Sequence, residues 1–142
     1  DRRARVEKAL AEQETRASSL IDADYVSVPV GKTVGDLLAA IRRSGRERHA
    51  VSYVYVVDPA TDRLIGVVDL RELVLAPDGV GLADIMAAPV VAADSEATQE
   101  ELVQLFTKYH YRMVPVVYRN DKMLGVIRYN DFMKGPDVRA KE

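Results

Sequence analysis

The chain contains two similar halves, and this internal repeat limits the folds that it can adopt. Residues 64–73 read LIGVVDLREL and return as MLGVIRYNDF at residues 123–132, so that Gly66 corresponds to Gly125. A tandem of two units, each too small to bury a good core alone, normally packs face to face and forms clefts at the seam. The repeat therefore predicts a binding module.

The similarity extends upstream of these motifs. Residues 53–57 (YVYVV) are echoed by residues 114–117 (VPVV), and Thr33 corresponds to Thr98. Each half then follows the order strand, helix, strand, strand, helix, which predicts an α/β (α+β) fold of two units related by a pseudo-two-fold axis. The expected boundaries are 1–18 for a connecting helix from a preceding domain, 19–77 and 78–134 for the two units, and 135–142 for a tail.

Local signals place the helices and hairpins. Thr33 is an expected N-cap, and residues 98–101 (TQEE) form a capping-box sequence before a second helix. Ser44-Gly45-Arg46 interrupts the first helix, and Gly135-Pro136 stops the last one. β-Branched and aromatic runs predict two hairpins, the first from residues 51–57 and 64–68 and the second from residues 113–118 and 123–127.

Composition excludes several classes of function. A net charge of −2 with interspersed basic residues argues against a nucleic-acid partner, and the absence of cysteine excludes disulfides and thiolate metal sites. No apolar run approaches the ~20 residues that span a bilayer, so we expect no membrane insertion of this segment and a cytoplasmic location. No catalytic or cofactor motif is present, so we do not expect an enzyme.

The matching elements resemble the tandem cystathionine-β-synthase (CBS) domain pair, also called a Bateman module. The resemblance rests on Leu20-Ile21 and Ile85-Met86 before the first strand of each half, on residues 114–117, and on Gly66 and Gly125. It covers residues 19–134 in the expected order. The resemblance implies a ligand-binding module that assembles as a homodimer.

Other residues resemble the CBS region of MgtE-type magnesium channels more specifically. They are residues 14–21 (ETRASSLI), 24–28 (DYVSV), 53–58 (YVYVVD) and 99–101 (QEE). This resemblance implies a cytosolic segment of an inner-membrane protein that senses Mg²⁺, is sometimes tuned by ATP, and gates a transmembrane pore domain in the same longer polypeptide.

The resemblance also implies a nucleotide site. Tyr53 and Tyr111 would flank adenine, Arg71 would face phosphate, and Glu72 or its counterpart Asp131 would accept hydrogen bonds from the ribose hydroxyls. In the alternative interpretation, both tyrosines are packing residues at the edge of the cleft and Arg71 is a solvated helix residue.

Both halves depart from the CBS pattern of Gly, two apolar residues, Ser or Thr, two further residues and Asp. The first half has Asp69 in place of the hydroxyl residue and Glu72 in place of the acid, whereas the second keeps Asp131 and has Arg128 at the hydroxyl position. The longer Glu72 side chain changes the ribose geometry. We therefore expect weak binding of ATP or AMP, in one cleft at most.

Four acidic residues around the start of the second helix are candidate ligands for Mg²⁺, which prefers oxygen ligands. They are Asp94, Glu96, Glu100 and Glu101, and helix capping with a favourable helix dipole is a sufficient explanation for them that the sequence favours over metal binding. His110 stands where the channel pattern carries an acid, and an imidazole suits Zn²⁺ or Mn²⁺ better than Mg²⁺. A lone histidine can also be an ordinary surface residue.

The sequence thus favours the regulatory CBS pair of a divalent-cation transporter, in which a bound ligand rearranges the module. An alternative is a stand-alone adenine-nucleotide sensor that acts on a soluble partner. A third hypothesis is a dimerisation module with empty clefts. Transmembrane helices beyond Glu142 would belong to the first hypothesis alone.

Overall fold

The computed structural model describes residues 2, 3, 5, 15–44 and 52–134. Its internal contacts divide the chain into two compact units. The first unit comprises residues 24–91 and the turn at residues 119–123, and the second comprises the described parts of residues 1–23, 92–118 and 124–142. Each unit contains one three-stranded sheet and helices, which confirms the predicted mixed α/β fold.

The first unit contains the sheet β1-β2-β3. β1 pairs with β2 in parallel, and β2 pairs with β3 antiparallel, so the predicted first hairpin is confirmed. β-Branched residues at most positions of these strands suit a pleated, buried surface. The elements are β1 (Val26–Pro29), α1 (Val34–Ser44), β2 (Tyr53–Val57), β3 (Leu64–Asp69), α2 (Leu70–Leu75) and α3 (Leu82–Ile85).

The second unit contains the sheet β4-β5-β6, in which β4 pairs with β5 in parallel. β5 and β6 are hydrogen-bonded neighbours joined by a three-residue turn, as the sequence predicts for the second hairpin. A 3₁₀ helix, Ala17–Ser19, precedes them in the chain. The other elements are β4 (Ala93–Asp94), α4 (Gln99–Tyr109), β5 (Met113–Tyr118), β6 (Lys122–Arg128) and α5 (residues 129–134).

The long helices α1 and α4 begin with the same reciprocal cap. The Thr98 hydroxyl accepts a hydrogen bond from the Glu101 N–H, and the Glu101 carboxylate accepts one from the Thr98 N–H, which confirms the predicted capping box. At α1, Thr33 and Asp36 make the equivalent pair at 3.1 and 3.2 Å. The hydrogen bond from the Thr33 N–H to the Asp36 carboxylate, followed by the contribution of the Thr33 hydroxyl, holds the pKa of Asp36 below its usual range.

Each unit contains one short segment that comes from outside its own repeat. Residues 17–22, here called the first leading segment, belong to the second unit. Residues 82–87, the second leading segment, belong to the first unit. Each sequence repeat therefore begins with a segment that packs in the unit built around the other repeat's hairpin.

Each leading segment pairs with the last strand of a hairpin through two backbone hydrogen bonds. Ala87 and Val67 exchange bonds of 2.8 and 3.1 Å, and Asp22 and Val126 exchange bonds of 2.7 and 3.0 Å. The glycine before each pairing residue permits this approach. A Cβ on Gly125, for example, would lie 2.8 Å from the Asp22 carbonyl oxygen.

Each unit buries its own cluster of apolar side chains around one helix and one sheet. In the first unit the fully buried members of this core are Val34, Leu37, Val54, Val56, Val68, Leu73 and Leu82. In the second unit the core residues are Ala17, Ala93, Ala97, Leu102, Phe106, Val114, Val116 and Ile127. Leu82 and Ala17 bring the leading segments into these cores.

Some sequence predictions fall on residues that the structure does not describe. They include most of the connecting helix at residues 1–18, the interruption after Ser44, the first residue of the predicted 51–57 strand, and the tail at residues 135–142 with its Gly135-Pro136 stop. Within the described ranges, no helix is both long and apolar enough to cross a membrane.

Candidate functional site

The turn from β3 into α2 gathers three of the predicted nucleotide residues in the first unit. Asp69 caps α2, because its Oδ1 accepts a hydrogen bond of 3.0 Å from the Arg71 N–H. Its other carboxylate oxygen lies 3.6 Å from the Arg71 guanidinium. Tyr53 stands directly opposite Asp69 in the β2–β3 ladder, and Glu72 lies in the first turn of α2.

These residues differ in their access to solvent. The Arg71 side chain is 83% exposed and Glu72 is exposed, so both can reach a ligand from solvent. Tyr53 is only 9% exposed and contributes to the core, as the packing interpretation predicts for it. The turn therefore exposes a cation and a carboxylate at consecutive positions of α2, while Tyr53 on the neighbouring strand is largely buried.

The corresponding turn of the second unit has a different chemistry. Arg128 reaches two carboxylates: its Nη2 contacts Asp22, and its Nε donates a hydrogen bond of 3.1 Å to Asp131. The Arg128 side chain is only 19% exposed. Its remaining nitrogen, Nη1, is buried and has no acceptor among the described residues. Asp131, the predicted ribose acceptor of this repeat, is thus engaged by a neighbouring cation.

Tyr111 lies in the second unit and stacks on Tyr109, with the ring centroids 5.5 Å apart and the rings nearly parallel at 7°. His110, between them, ends α4 in the left-handed conformation with φ 57°. This conformation, to which histidine is better suited than most residues, brings the two flanking rings to the same side of the chain. The ammonium of Lys108 lies 5.2 Å from the centre of the Tyr109 ring.

The predicted metal ligands are distributed along α4 and the segment before it. Asp94 accepts a hydrogen bond of 2.9 Å from the Glu96 N–H, and Glu101 takes part in the capping box. The carboxylates of Glu96 and Glu100 are exposed. His110 lies at the opposite end of α4 from Glu100, about 15 Å away along an axis that rises 1.5 Å per residue.

The structure therefore does not bring His110 to the four acids. Among the residues that the structure describes, no three His, Asp or Glu side chains are grouped as a metal ion would require. The acids can hold an ion only through one or two carboxylates, with water or another chain supplying the other ligands.

Two residues that were not predicted as site residues contribute to these turns. Asp22 has no local signal in the sequence, because it lies 106 residues before the arginine that it contacts. Asp69 was visible as a departure from the CBS pattern, and the structure shows its role as a helix cap.

The first unit also contains a cavity of about 540 Å³ at the hairpin turns. It is lined by residues 60–63, Asn120 and Lys122. Arg63, one of these residues, forms an ion pair of 3.4 Å with Asp121. None of the predicted site residues lines this cavity.

Comparison with known proteins agrees with the repeated architecture. The family model described as CBS domain matches twice, at residues 17–79 and 82–136. The chain is 33% identical to a magnesium transporter MgtE from Thermus thermophilus, covering 99% of this chain and 31% of that protein. It is 27% identical to the Enterococcus faecalis magnesium transporter MgtE, covering 95% and 30%. The chain therefore spans about a third of the length of these relatives.

A solved structure is similar over nearly the whole chain. The cytosolic domain of the Mg²⁺ channel MgtE, crystallised in complex with ATP, superposes with a TM-score of 0.80 at 33% identity. The match covers 93% of this chain and 53% of that one.

Proposed function

This chain belongs to the CBS domain family, and from that premise we propose that it is the ligand-sensing regulatory segment of a magnesium transporter. The observation that carries the proposal is the match of 99% of this chain to 31% of an MgtE transporter. In this proposal the segment acts in the cytosol as a homodimer and is joined to a transmembrane pore domain in a longer polypeptide. It has no catalytic activity of its own.

The proposed mechanism is a shift of populations. A ligand that binds one arrangement of the module better than another favours that arrangement by the difference in binding free energy. The altered arrangement then biases the open and closed states of the pore. The likeness to the cytosolic domain of a channel supports this mechanism.

We assign the nucleotide to the first repeat. The similar cytosolic domain was solved with ATP, and the β3–α2 turn of this chain exposes a guanidinium and a carboxylate at two consecutive residues. Arg71 would pair with phosphate, and Glu72 would accept hydrogen bonds from the ribose hydroxyls. Tyr53 would support the base from below, with little exposed ring to stack against. Binding of ATP or AMP is therefore weak.

Tyr111 and Asp131 are the nucleotide candidates of the second unit. Tyr111 is already stacked on Tyr109, and the Asp131 carboxylate is paired with Arg128. Both observations favour the first repeat as the place where a nucleotide binds.

We propose that Mg²⁺ binds at the start of α4. Mg²⁺ keeps several of its waters and needs only one or two carboxylates, which the exposed side chains of Glu96 and Glu100 can supply. Asp94 and Glu101 add negative charge close by while they cap the chain locally. His110 would bind a softer ion only by itself at the far end of the helix.

Calorimetric titration of the 142-residue chain with ATP tests the nucleotide assignment. We expect weak binding with at most one ATP per chain, and about tenfold weaker binding for Arg71→Ala, since a charge-assisted contact is lost. Arg63→Ala is the matched control, because Arg63 is another exposed arginine of the first unit with an acidic partner. Equal affinities for the two variants would contradict the assignment.

Thermal unfolding with and without millimolar Mg²⁺ tests the cation site. Mg²⁺ should raise the melting temperature of the wild-type chain by mass action, and the double variant Glu96→Gln/Glu100→Gln should respond less. The double variant Glu100→Gln/Glu101→Gln removes the two acids in the first turn of α4. It also perturbs the cap, but a capping loss is the same with and without Mg²⁺. An equal Mg²⁺ response in all three proteins would remove these residues from the proposal.

The alternative function, a stand-alone adenine-nucleotide sensor, keeps the same nucleotide site and lacks the pore. It predicts an ATP response without any Mg²⁺ response. The match to magnesium transporters favours the first proposal over this one.

A further inference from the structure

The turns after the last hairpin strand of the two units each contain an arginine, and the guanidinium of Arg128 is largely buried whereas that of Arg71 is exposed. Arg128 contacts the carboxylates of Asp22 and Asp131, and its side chain is 19% exposed. Arg71, the arginine of the first repeat's turn, is 83% exposed. Of the two turns, only that of the second unit has an arginine that bridges two acids.

Corresponding positions of the repeats explain the difference. The first repeat has Asp69 where the second has Arg128, and the leading segment that pairs with its hairpin has Ala87 where the other has Asp22. In the first unit, neither the cation nor one of its two acids is therefore present at the corresponding position. Glu72, the counterpart of Asp131, makes no ion pair with any residue that the structure describes.

We infer that Arg128 is a built-in occupant of the second repeat's carboxylate site, which closes that site to nucleotides and ties the first leading segment to β6. The inference rests on the proposed recognition of ribose by the carboxylate at this position. A carboxylate can hold a ribose diol with one hydrogen bond from each hydroxyl, and Arg128 already engages one of the two Asp131 oxygens. The guanidinium adds the attraction of opposite charges to its hydrogen bond, which a neutral hydroxyl lacks, so the ribose hydroxyls do not displace it.

The same arginine strengthens one backbone pairing and not the other. Asp22 is held by two backbone hydrogen bonds to Val126 and by the contact with Arg128. Ala87 is held by two backbone hydrogen bonds to Val67, and an alanine side chain cannot add an ion pair. Removal of Arg128 therefore loosens the first leading segment and leaves the second leading segment unchanged.

Titration of ATP into Arg128→Thr tests the closure. Threonine is neutral and short, so it leaves Asp131 without its cation. We expect one more ATP per chain than the wild type binds, and no gain for the control Arg63→Thr, which removes an exposed arginine at a hairpin turn. Arg128→Lys should also gain no site, since its ammonium still pairs with Asp131.

Hydrogen exchange tests the tie to the leading segment. The amides of Asp22 and Val126 should exchange about tenfold faster in Arg128→Thr, the factor that corresponds to the loss of one charge-assisted hydrogen bond. The amides of Val67 and Ala87 should not change, and their protection also shows that the variant is folded. Asp22→Ala keeps the pair of Arg128 with Asp131, so it should gain no ATP site.

The outcomes separate this inference from the proposed function. An unchanged ATP stoichiometry in Arg128→Thr overturns the closure whatever the wild type binds, and unchanged exchange at Asp22 overturns the tie. If the wild type binds no ATP and Arg128→Thr binds one, the inference stands and the site proposed at Arg71 fails. Should Arg128→Thr not fold, Arg128→Gln, which removes the charge and keeps a longer stem than threonine, gives the same test.

Discussion

The two repeats share a backbone framework and differ in the charges that they place on it. In both, a Thr–acid cap begins the long helix, and a leading segment pairs with the last strand of a hairpin beside a glycine. The turn after that strand has Asp69 and a solvated Arg71 in one repeat, and Arg128 between two acids in the other. Two similar backbones therefore carry different polar groups: Arg71 is open to solvent in one repeat, whereas Arg128 is neutralised by two carboxylates in the other.

This difference shows which residues specify the fold and which specify the ligand. The apolar pattern, the two glycines and the two helix caps are common to both repeats and specify the backbone. The three or four side chains at the turn after β3 or β6 decide what can bind there. A repeat can lose its ligand through a single change of charge while its fold persists.

The largest expected effect concerns the shared framework. Leu37 and Leu102 occupy corresponding positions in α1 and α4, and both are essentially buried, at 1% and 0% exposure. Leu37→Ala and Leu102→Ala should each lower the free energy of unfolding by about 3 kcal/mol, since each leaves a cavity. Urea unfolding measures both. Val103→Ala, on the exposed side of α4, is the control with little expected effect, and a twofold difference between the leucines would show that the frameworks are not equivalent.

A smaller effect should distinguish the repeats at the two glycines. A Cβ on Gly66 meets the flexible side chain of Met86, with the Sδ nearest, whereas a Cβ on Gly125 meets the Asp22 carbonyl oxygen at 2.8 Å. The methionine can move and the paired backbone cannot. Gly125→Ala should therefore cost about 3 kcal/mol and Gly66→Ala about 1 kcal/mol in urea unfolding. Equal costs would mean that Met86 is as fixed as the backbone. Gly79→Ala, where no atom lies within 4 Å, is the control.

The smallest effect concerns the caps and pH. Because hydrogen bonds from Thr33 lower the pKa of Asp36 in the folded chain, its ionised form stabilises the fold above the ordinary carboxyl pKa. That stabilisation is lost as the pH falls through the lowered pKa. Asp36→Asn should accordingly show a smaller loss of stability than the wild type between pH 6 and about pH 3, where carboxylates protonate.

Unfolding by urea at the two pH values measures this difference. Asp62→Asn is the control, since Asp62 is an exposed turn residue with φ 61°, a conformation that asparagine also adopts. An unchanged pH dependence in Asp36→Asn would show that the cap does not depend on the charge of Asp36.

Much of the fold was predictable because its signals are local. The β-branched and aromatic residues of 51–57 and 64–68 predicted a hairpin, and the observed strands differ from those limits at Ser52, which is a bend before β2, and at Asp69, which ends β3; residue 51 is not described. The TQEE sequence predicted the cap of α4. Each signal lies within a few residues of the structure that it specifies.

The site was less predictable because its contacts are distant in sequence or depend on backbone conformation. The pair of Arg128 with Asp22 joins residues 106 positions apart, and only the replacement of a hydroxyl residue by Arg128 hinted at it. His110 was considered as a metal ligand, and nothing in the sequence indicated that it would end α4 with a positive φ. The nucleotide and metal residues themselves stay predictions.

The exchange of leading segments has a consequence for synthesis of the chain. Residues 17–22 leave the ribosome early, but Arg128, which contacts Asp22, is synthesised 106 residues later. The contact cannot form before then. Contacts of such long range slow folding, because loop closure must precede them. During that interval the apolar side chains of Leu20 and Ile21 remain uncovered, so the second unit is the part of a nascent chain that most needs protection from aggregation.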